Sequence, residues 1–137
     1  LAQFIKKNSI YSIGKASSTE IDKINILQAT NLSMIRAYKN LKKPKNLVKI
    51  DGLETFKLND RTTFIKNGDQ KSISIAAASI IAKTWRDKLM IYYSKIYPMY
   101  GWDRNKGYGT NEHRQAIKRY GLTRIHRRSF LGNLNRC

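Results

Sequence analysis

Apolar residues between Ile21 and Leu41 recur at gaps of three, four and seven positions, a spacing that predicts one face of an amphipathic helix. Ser17 and Glu20 precede this segment in the Ser-x-x-Glu pattern of a capping box, in which each side chain binds the backbone amide of the other residue. Pro44 follows, and proline is typical just beyond the end of a helix. The pattern therefore predicts a capped helix that ends before Pro44.

The longest apolar run, Ile73–Ala82, predicts a second helix that extends to just before Pro98. Its three consecutive alanines favour helix. Because this run is apolar on all sides, we expect it to be buried. A third, shorter helix is predicted over residues 112–120, with Thr110 or Asn111 as its N-cap.

Three further segments, 9–16, 46–51 and 62–66, are predicted to be strands, and residues 101–110, with three glycines, to be a loop. Strands and helices in this order indicate an α/β domain in which a mixed sheet is flanked by helices. Residues 1–7 have the character of a helix end, and the first residue is not Met. We therefore expect the whole chain to be one N-terminally truncated domain, with part of its sheet encoded upstream.

The charge balance points to the partner. The 137 residues contain 27 Lys and Arg against 9 Asp and Glu, a net charge of +18. Such a charge favours nucleic acid and, second, anionic membrane surfaces. No apolar run reaches the roughly 18–20 residues of a membrane span. Cys137 is the single cysteine, which excludes an internal disulfide and a cysteine-based zinc site, so we expect a cytoplasmic location without a membrane partner.

Two of the nine acids stand out as candidate metal ligands. Asp51 ends an apolar strand and precedes Gly52, and Asp69 follows Gly68 just before the apolar helix. In α/β sheets, ligands bind at the carboxyl ends of strands. Oxygen ligands of this kind suit Mg²⁺ or Mn²⁺, which assist phosphodiester hydrolysis. Each acid alone is also compatible with an ordinary turn aspartate.

A glycine-rich segment and a basic segment are candidates for nucleic-acid contacts. In Lys106-Gly107-Tyr108-Gly109-Thr110, the glycines allow close backbone approach to a ligand and the tyrosine could stack on a sugar or base. A glycine turn with a half-buried tyrosine is the alternative. Arg127 and Arg128 belong to a basic cluster that suits phosphate contacts or, alternatively, a solvated face. His113 is interpreted as a structural residue.

Four motifs, taken together and in this order, resemble the signature of bacterial ribonuclease HII. They are Ile50-Asp51-Gly52, then Asp69 with the segment from Ser72 to Lys83 and Arg86-Asp87, then Lys106-Gly107-Tyr108-Gly109-Thr110, and finally His126-Arg127-Arg128-Ser129-Phe130.

The resemblance implies a ribonuclease H-like fold and an endonuclease that hydrolyses RNA in RNA–DNA hybrids and at single ribonucleotides embedded in duplex DNA. It implies cleavage by a metal-activated water that leaves a 5′-phosphate and a 3′-hydroxyl, with Mn²⁺ or Mg²⁺ held by four carboxylates. Asp51 and Asp69 match two of these catalytic, metal-binding carboxylates. Tyr108 matches the tyrosine that packs on the ribose at the RNA–DNA junction. Protein partners are not implied.

The sequence departs from the family pattern in two respects. The family's adjacent Asp-Glu pair, and the Gly-Arg-Gly segment that recognises the 2′-hydroxyl, do not occur in the 137 residues. Two alternatives therefore stay open. One is a catalytically inactive nucleic-acid-binding remnant, and the other is a basic RNA-binding module similar to a ribosomal protein, in which Asp51 and Asp69 have no special role.

Overall fold

The structure, a computed structural model, describes residues 1–43 and 47–131. Pro44 and Asn46, which took part in two of the expectations above, lie outside this part of the chain. The elements in chain order are α1 (Ala2–Asn8), α2 (Ser18–Asn40), β1 (Val48–Asp51), β2 (Thr62–Ile65), α3 (Gly68–Lys71), α4 (Ile73–Ile96), α5 (Trp102–Asn105) and α6 (Asn111–Tyr120). The fold is α/β, as predicted, with a small parallel sheet among helices.

The chain forms two compact units. The first comprises residues 1–16 and 26–83, and the second comprises residues 17–25 and the chain from Thr84 onward. The sheet lies in the first unit, and α5 and α6 lie in the second. The residues of α2 and α4 are divided between the two units. Within the described ranges, no helix is both long and apolar enough to cross a bilayer.

Strands β1 and β2 are parallel, with Val48 opposite Thr62 and Asp51 opposite Ile65. The Gly52 amide donates to the Ile65 carbonyl at 3.1 Å and extends the pairing by one step. Because parallel strands end at the same edge of a sheet, the residues that follow both strands meet there. Two of the three predicted strands, those over 46–51 and 62–66, are confirmed within the described residues. Asp51 ends β1 at the edge where both strands end.

Residues 9–16 do not form the strand that was predicted. The segment has no regular secondary structure and lies along the second half of α2 instead of joining the sheet. Ser12 Oγ donates to the Ala37 carbonyl, and Arg36 donates to the Lys15 carbonyl at 2.7 Å. Gly14 lies so close to the helix backbone at Ser33 that a side chain would not fit. Polar contacts with a helix thus take the place of the backbone hydrogen bonds that would pair this segment with a neighbouring strand.

Helix α2 begins with the predicted capping box. The Ser17 amide donates to Glu20 Oε2 at 2.8 Å, and the Glu20 amide donates to Ser17 Oγ at 3.2 Å. The single continuous face predicted for this helix is wrong, however. Asn25 adopts φ 67° and ψ 169°, which breaks the helix, so the residues before and after it do not share one face. As a result Ile24 and Leu27, expected on the apolar face, are exposed.

Helix α4 has the predicted extent but not the predicted burial. In the part of the chain that is described, only Ile75, Ile81 and Met90 of this helix are buried. Ile73 is 91% exposed, although it opens the apolar run. Apolar composition predicted the helix correctly, whereas burial depends on which neighbouring elements cover each side of it.

The core of the second unit is aromatic. Tyr100 and Trp102 stack with ring centroids 5.0 Å apart and planes tilted by 16°, and Met90 and Ala116 complete the buried cluster. Trp102 is 2% exposed. It begins α5, a short helix inside the segment predicted to be a loop. The prediction missed this helix because tertiary burial of the indole, not helix propensity, fixes that turn.

Helix α6 confirms the third helical prediction and selects one of its two candidate caps. Thr110 has extended backbone angles, and its Oγ1 accepts a hydrogen bond from the His113 amide at 3.3 Å. The cap is therefore Thr110 rather than Asn111.

Candidate active site

Asp51 and Asp69 come together at the carboxyl edge of the sheet. Asp51 Oδ1 accepts a hydrogen bond of 2.8 Å from the backbone amide of Gly68, the residue just before Asp69. Asp69 lies in the first turn of α3, and both acids are exposed. One hydrogen bond and one peptide unit thus connect two carboxylates that are distant in sequence.

Gly68 permits this approach because it has no side chain. A Cβ atom placed on this buried residue would lie 2.6 Å from Ile75 Cδ1 and 3.5 Å from the Asp51 Cα. Ile75 is itself buried and therefore has little room to move. Asn67, with φ 55°, turns the chain from β2 into α3 immediately before the glycine. The tight turn after β2 thus brings the Asp69 backbone against the end of β1.

The chemistry of these two acids fits a hard divalent cation. Carboxylate oxygens are the ligands that Mg²⁺ and Mn²⁺ prefer, and such ions keep several waters when one or two protein carboxylates hold them. Over the described ranges, however, no group of three or more His, Cys, Asp and Glu side chains is arranged to hold a metal. At such a site the described residues would therefore supply two carboxylates, Asp51 and Asp69.

In the second unit, Tyr108 lies in a loop whose backbone is held by several hydrogen bonds. Its side chain is 64% exposed. Its backbone amide donates to the Asn105 carbonyl at 2.9 Å, and its carbonyl accepts from His113 Nδ1 and from the Thr110 amide, each at 2.9 Å. Asn105 and His113 are both buried. The ring is therefore available to a ligand while the backbone that carries it is anchored in the core.

Neighbouring residues of the loop are also held by side chains of the surrounding helices. Arg86 of α4 donates to the Lys106 carbonyl at 3.2 Å, and Arg114 of α6 donates to the Gly109 carbonyl at 2.9 Å. Lys106 Nζ donates to the Asp103 carbonyl. Gly107 has φ 86°, and a Cβ atom there would lie 3.1 Å from Met90 Cε. The backbone angle favours glycine at this position, and any side chain there would displace the end of Met90 slightly.

The basic segment is attached to the first turns of α2. Asp22 accepts hydrogen bonds from the amides of Arg128, at 3.1 Å, and Ser129, at 2.9 Å. The bonds from Ser129 lower the pKa of Asp22 below its ordinary value. Burial, and then the charge of Arg86, lower the pKa of Arg127. Asp22 thus fixes the start of the basic segment through two backbone amides.

The two histidines, which have no metal-ligand spacing in the sequence, touch in the structure. The Nε2 atoms of His113 and His126 are 3.2 Å apart, and both residues are buried. Trp102 Nε1 donates to His113 Nε2 at 3.1 Å, and the Thr123 amide donates to His126 Nδ1 at 2.9 Å. Sequence reasoning identified His113 correctly as structural but gave no sign of the pair, which is created by tertiary folding.

Comparison with known proteins adds a family assignment to this geometry. A family model described as Ribonuclease HII matches residues 2–132. A protein named Ribonuclease HII from Pelagibacter ubique (strain HTCC1062) is 53% identical over 131 residues, which cover 95% of this chain and 70% of that protein. Its namesake from Rickettsia bellii (strain OSU 85-389) is 52% identical over 95% of this chain and 66% of that protein.

A more distant relative extends the match over nearly the whole chain. The Ribonuclease HII of Clostridioides difficile (strain 630) is 46% identical over 98% of this chain and 53% of that protein. The chain thus spans between about half and seven tenths of the length of these relatives.

Proposed function

Because the chain belongs to the ribonuclease HII family, we propose that it acts as an endonuclease on RNA in RNA–DNA hybrids and on single ribonucleotides embedded in duplex DNA. The observation that carries the proposal is the pair of exposed carboxylates, Asp51 and Asp69, joined through the Gly68 amide at the end of a parallel strand. The single cysteine among 137 residues supports a reducing compartment such as the cytoplasm as its location.

Asp51 and Asp69 are the residues we assign to catalysis and to binding Mn²⁺ or Mg²⁺. Bound between these two carboxylates, such an ion would supply Lewis-acid chemistry, activation of the attacking water and stabilisation of charge on the leaving 3′ oxygen. The Gly68 amide occupies Asp51 Oδ1 and fixes the orientation of that carboxylate. Hydrolysis of this kind leaves a 5′-phosphate and a 3′-hydroxyl.

Substrate binding is assigned to the loop and the basic segment of the second unit. Tyr108 offers an exposed aromatic face for the ribose or a base. Lys106 and Gly107 shape the loop that carries it, since both adopt positive φ angles, 51° and 86°. Arg127 and Arg128 supply positive charge for the phosphate backbone, which supports binding without strong sequence preference.

Cleavage of a defined duplex tests this proposal. The substrate is a labelled DNA duplex with one embedded ribonucleotide, and matched all-DNA and all-RNA duplexes are the controls. We expect the chain, expressed in its complete reading frame, to cut 5′ to the ribonucleotide with Mn²⁺ or Mg²⁺ and not with EDTA. Metal-independent cleavage, or equal cleavage of the all-RNA duplex, would contradict the proposal.

A nucleic-acid-binding protein without catalysis is the second candidate. The net charge of +18 favours it, because binding to a polyanion needs positive charge and does not need catalytic acids. The DNA upstream of the Leu1 codon distinguishes the two candidates. An in-frame Asp-Glu pair followed by Gly-Arg-Gly supports the nuclease, whereas a stop codon or an unrelated sequence supports binding alone.

A further inference from the structure

The backbone of Tyr108 is anchored on both sides by buried residues. Asn105, 7% exposed, accepts from the Tyr108 amide through its carbonyl and from the Gly107 amide through Oδ1, at 2.9 and 2.8 Å. His113, 5% exposed, meets the Tyr108 carbonyl on the other side. The exposed ring thus belongs to a residue whose backbone N–H and C=O groups both bind buried residues.

The hydrogen-bond partners of His113 determine which of its ring nitrogens carries the hydrogen. A carbonyl oxygen can only accept, so His113 Nδ1, 2.9 Å from the Tyr108 carbonyl, carries a hydrogen. The Trp102 indole N–H can only donate, so His113 Nε2, 3.1 Å away, has a free lone pair. These partners place the hydrogen of the ring on Nδ1, the nitrogen that donates to the Tyr108 carbonyl.

The second histidine reinforces this tautomer. The Thr123 amide donates to His126 Nδ1 at 2.9 Å, so His126 carries its hydrogen on Nε2. That nitrogen faces His113 Nε2 at 3.2 Å and donates to it. The donors of Trp102 and His126 thus share the single lone pair of His113 Nε2, which leaves Nδ1 as the donating nitrogen of that ring. The chain of hydrogen bonds from Thr123 to the Tyr108 carbonyl runs in one direction, and every ring nitrogen has a partner.

We propose that His113 is a positioning residue that holds Tyr108 in the orientation that receives the ribonucleotide, with His126 and Trp102 fixing the tautomer of His113. This proposal rests on the substrate-binding role assigned to Tyr108 above. His113 does not touch the substrate and acts only through the carbonyl of Tyr108. A histidine that served only to fill the core would not need a set ring orientation.

A double-mutant cycle tests the proposal in the complete protein. The variants are His113→Phe, which keeps an aromatic ring but removes the donor, His113→Asn, which retains an N–H near the Nδ1 position, Tyr108→Ala, and the His113→Phe/Tyr108→Ala double variant. On a duplex with one embedded ribonucleotide, we expect His113→Phe to lower kcat/KM about tenfold, mainly through KM, and His113→Asn to restore most of the loss. In the Tyr108→Ala background, the same His113 change should alter kcat/KM by less than about twofold.

Tyr100→Phe is the matched control, because it removes a hydrogen bond of the same core, from the Tyr100 hydroxyl to the Gly121 carbonyl, that does not involve His113. We expect it to lower the melting temperature while leaving KM within about twofold of the parent protein. Equal losses from His113→Phe with and without Tyr108 would overturn the proposal, because they would show that His113 acts through the core alone.

Two measurements keep the result separate from the proposed nuclease function. If the parent protein cuts no duplex, the nuclease proposal fails, but loop order can still be measured by amide hydrogen exchange at Thr110, whose N–H donates to the Tyr108 carbonyl. We expect faster exchange in His113→Phe than in Tyr100→Phe. Nitrogen NMR of the parent protein needs no variant, and a hydrogen on His113 Nε2 instead of Nδ1 would contradict the assignment.

Discussion

At the end of β1, Asp51 and Asp69 are connected through a single glycine amide, whereas the backbone around Tyr108 is held by side chains from three helices. Both acids are exposed and lie next to a short parallel sheet. Tyr108 is exposed as well, but its backbone partners Asn105 and His113 are buried beside an aromatic core. The first region presents charge on a simple turn, and the second presents an aromatic ring on a rigid support.

The difference reflects the ligand that each region is proposed to bind. Carboxylates that hold a hydrated cation need to be near one another and accessible, and a turn with one close approach at Gly68 satisfies this requirement. An exposed ring that stacks on a sugar has few protein contacts to hold its orientation. Its backbone must therefore be fixed by hydrogen bonds to buried residues. Substitutions should therefore separate catalysis in the first region from substrate recognition in the second.

Removal of one carboxylate should have the largest effect. We expect Asp51→Asn to lower kcat by roughly a thousandfold or more, while the affinity for an RNA–DNA hybrid is retained, because the amide cannot replace a charged metal ligand. Single-turnover cleavage and a binding titration measure the two quantities. Glu54→Gln is the control, since Glu54 is an exposed acid three positions away that pairs with Lys57 at 3.9 Å. Near-normal turnover of Asp51→Asn would reject the metal-binding role.

Loss of the exposed ring should affect recognition and leave stability intact. We expect Tyr108→Ala to reduce kcat/KM at a single embedded ribonucleotide about ten- to a hundredfold, the range of one lost stacking contact. The melting temperature should change little because the ring is exposed. Tyr120→Ala removes another exposed tyrosine, at the end of α6, and should have no effect on cleavage. An unchanged rate for Tyr108→Ala would assign that ring to packing.

A methyl group at Gly68 should test the close approach of the turn after β2 to Ile75. Gly68→Ala places a Cβ atom 2.6 Å from Ile75 Cδ1, and we expect a loss of about 1–3 kcal/mol in the free energy of unfolding. Gly109→Ala is the control, because its nearest neighbour would be Arg114 Nε at 3.7 Å, an ordinary contact. Its unfolding free energy should stay within about 0.5 kcal/mol of the parent value. Chemical denaturation measures both, and equal stabilities would contradict the steric requirement.

Acidification should weaken the second unit through His126. Burial, and then the neighbouring His113, lower the pKa of His126 from 6.5 to about 4. Between these pH values the unfolded chain binds a proton that the folded chain excludes, so the free energy of unfolding falls as the pH is lowered from about 6.5 to about 4. We expect His126 to contribute on the order of 1–2 kcal/mol to this decrease. Melting curves in this range should show a smaller slope for His126→Gln, and an identical slope would reject this contribution.

Much of the secondary structure was predictable because its signals are local. The capping box of Ser17 and Glu20, strands β1 and β2, and the full extent of α4 follow from side chains that contact their own sequence neighbours. The errors occurred where distant contacts decide. Residues 9–16 bind the backbone of α2 instead of a strand, and Asn25 interrupts α2 with a positive φ that the apolar spacing did not reveal.

The candidate site divides in the same way. The sequence alone identified Asp51, Asp69 and Tyr108 as candidates, because a strand end, a glycine turn and a glycine-flanked aromatic are visible in short segments. Only the tertiary structure joined Asp51 to the turn that carries Asp69, and only it brought His113 against His126. The physical reason is that a residue type and its near neighbours set which chemistry is available. The partner of each donor and acceptor is chosen by burial and close approach, which arise when distant segments pack together.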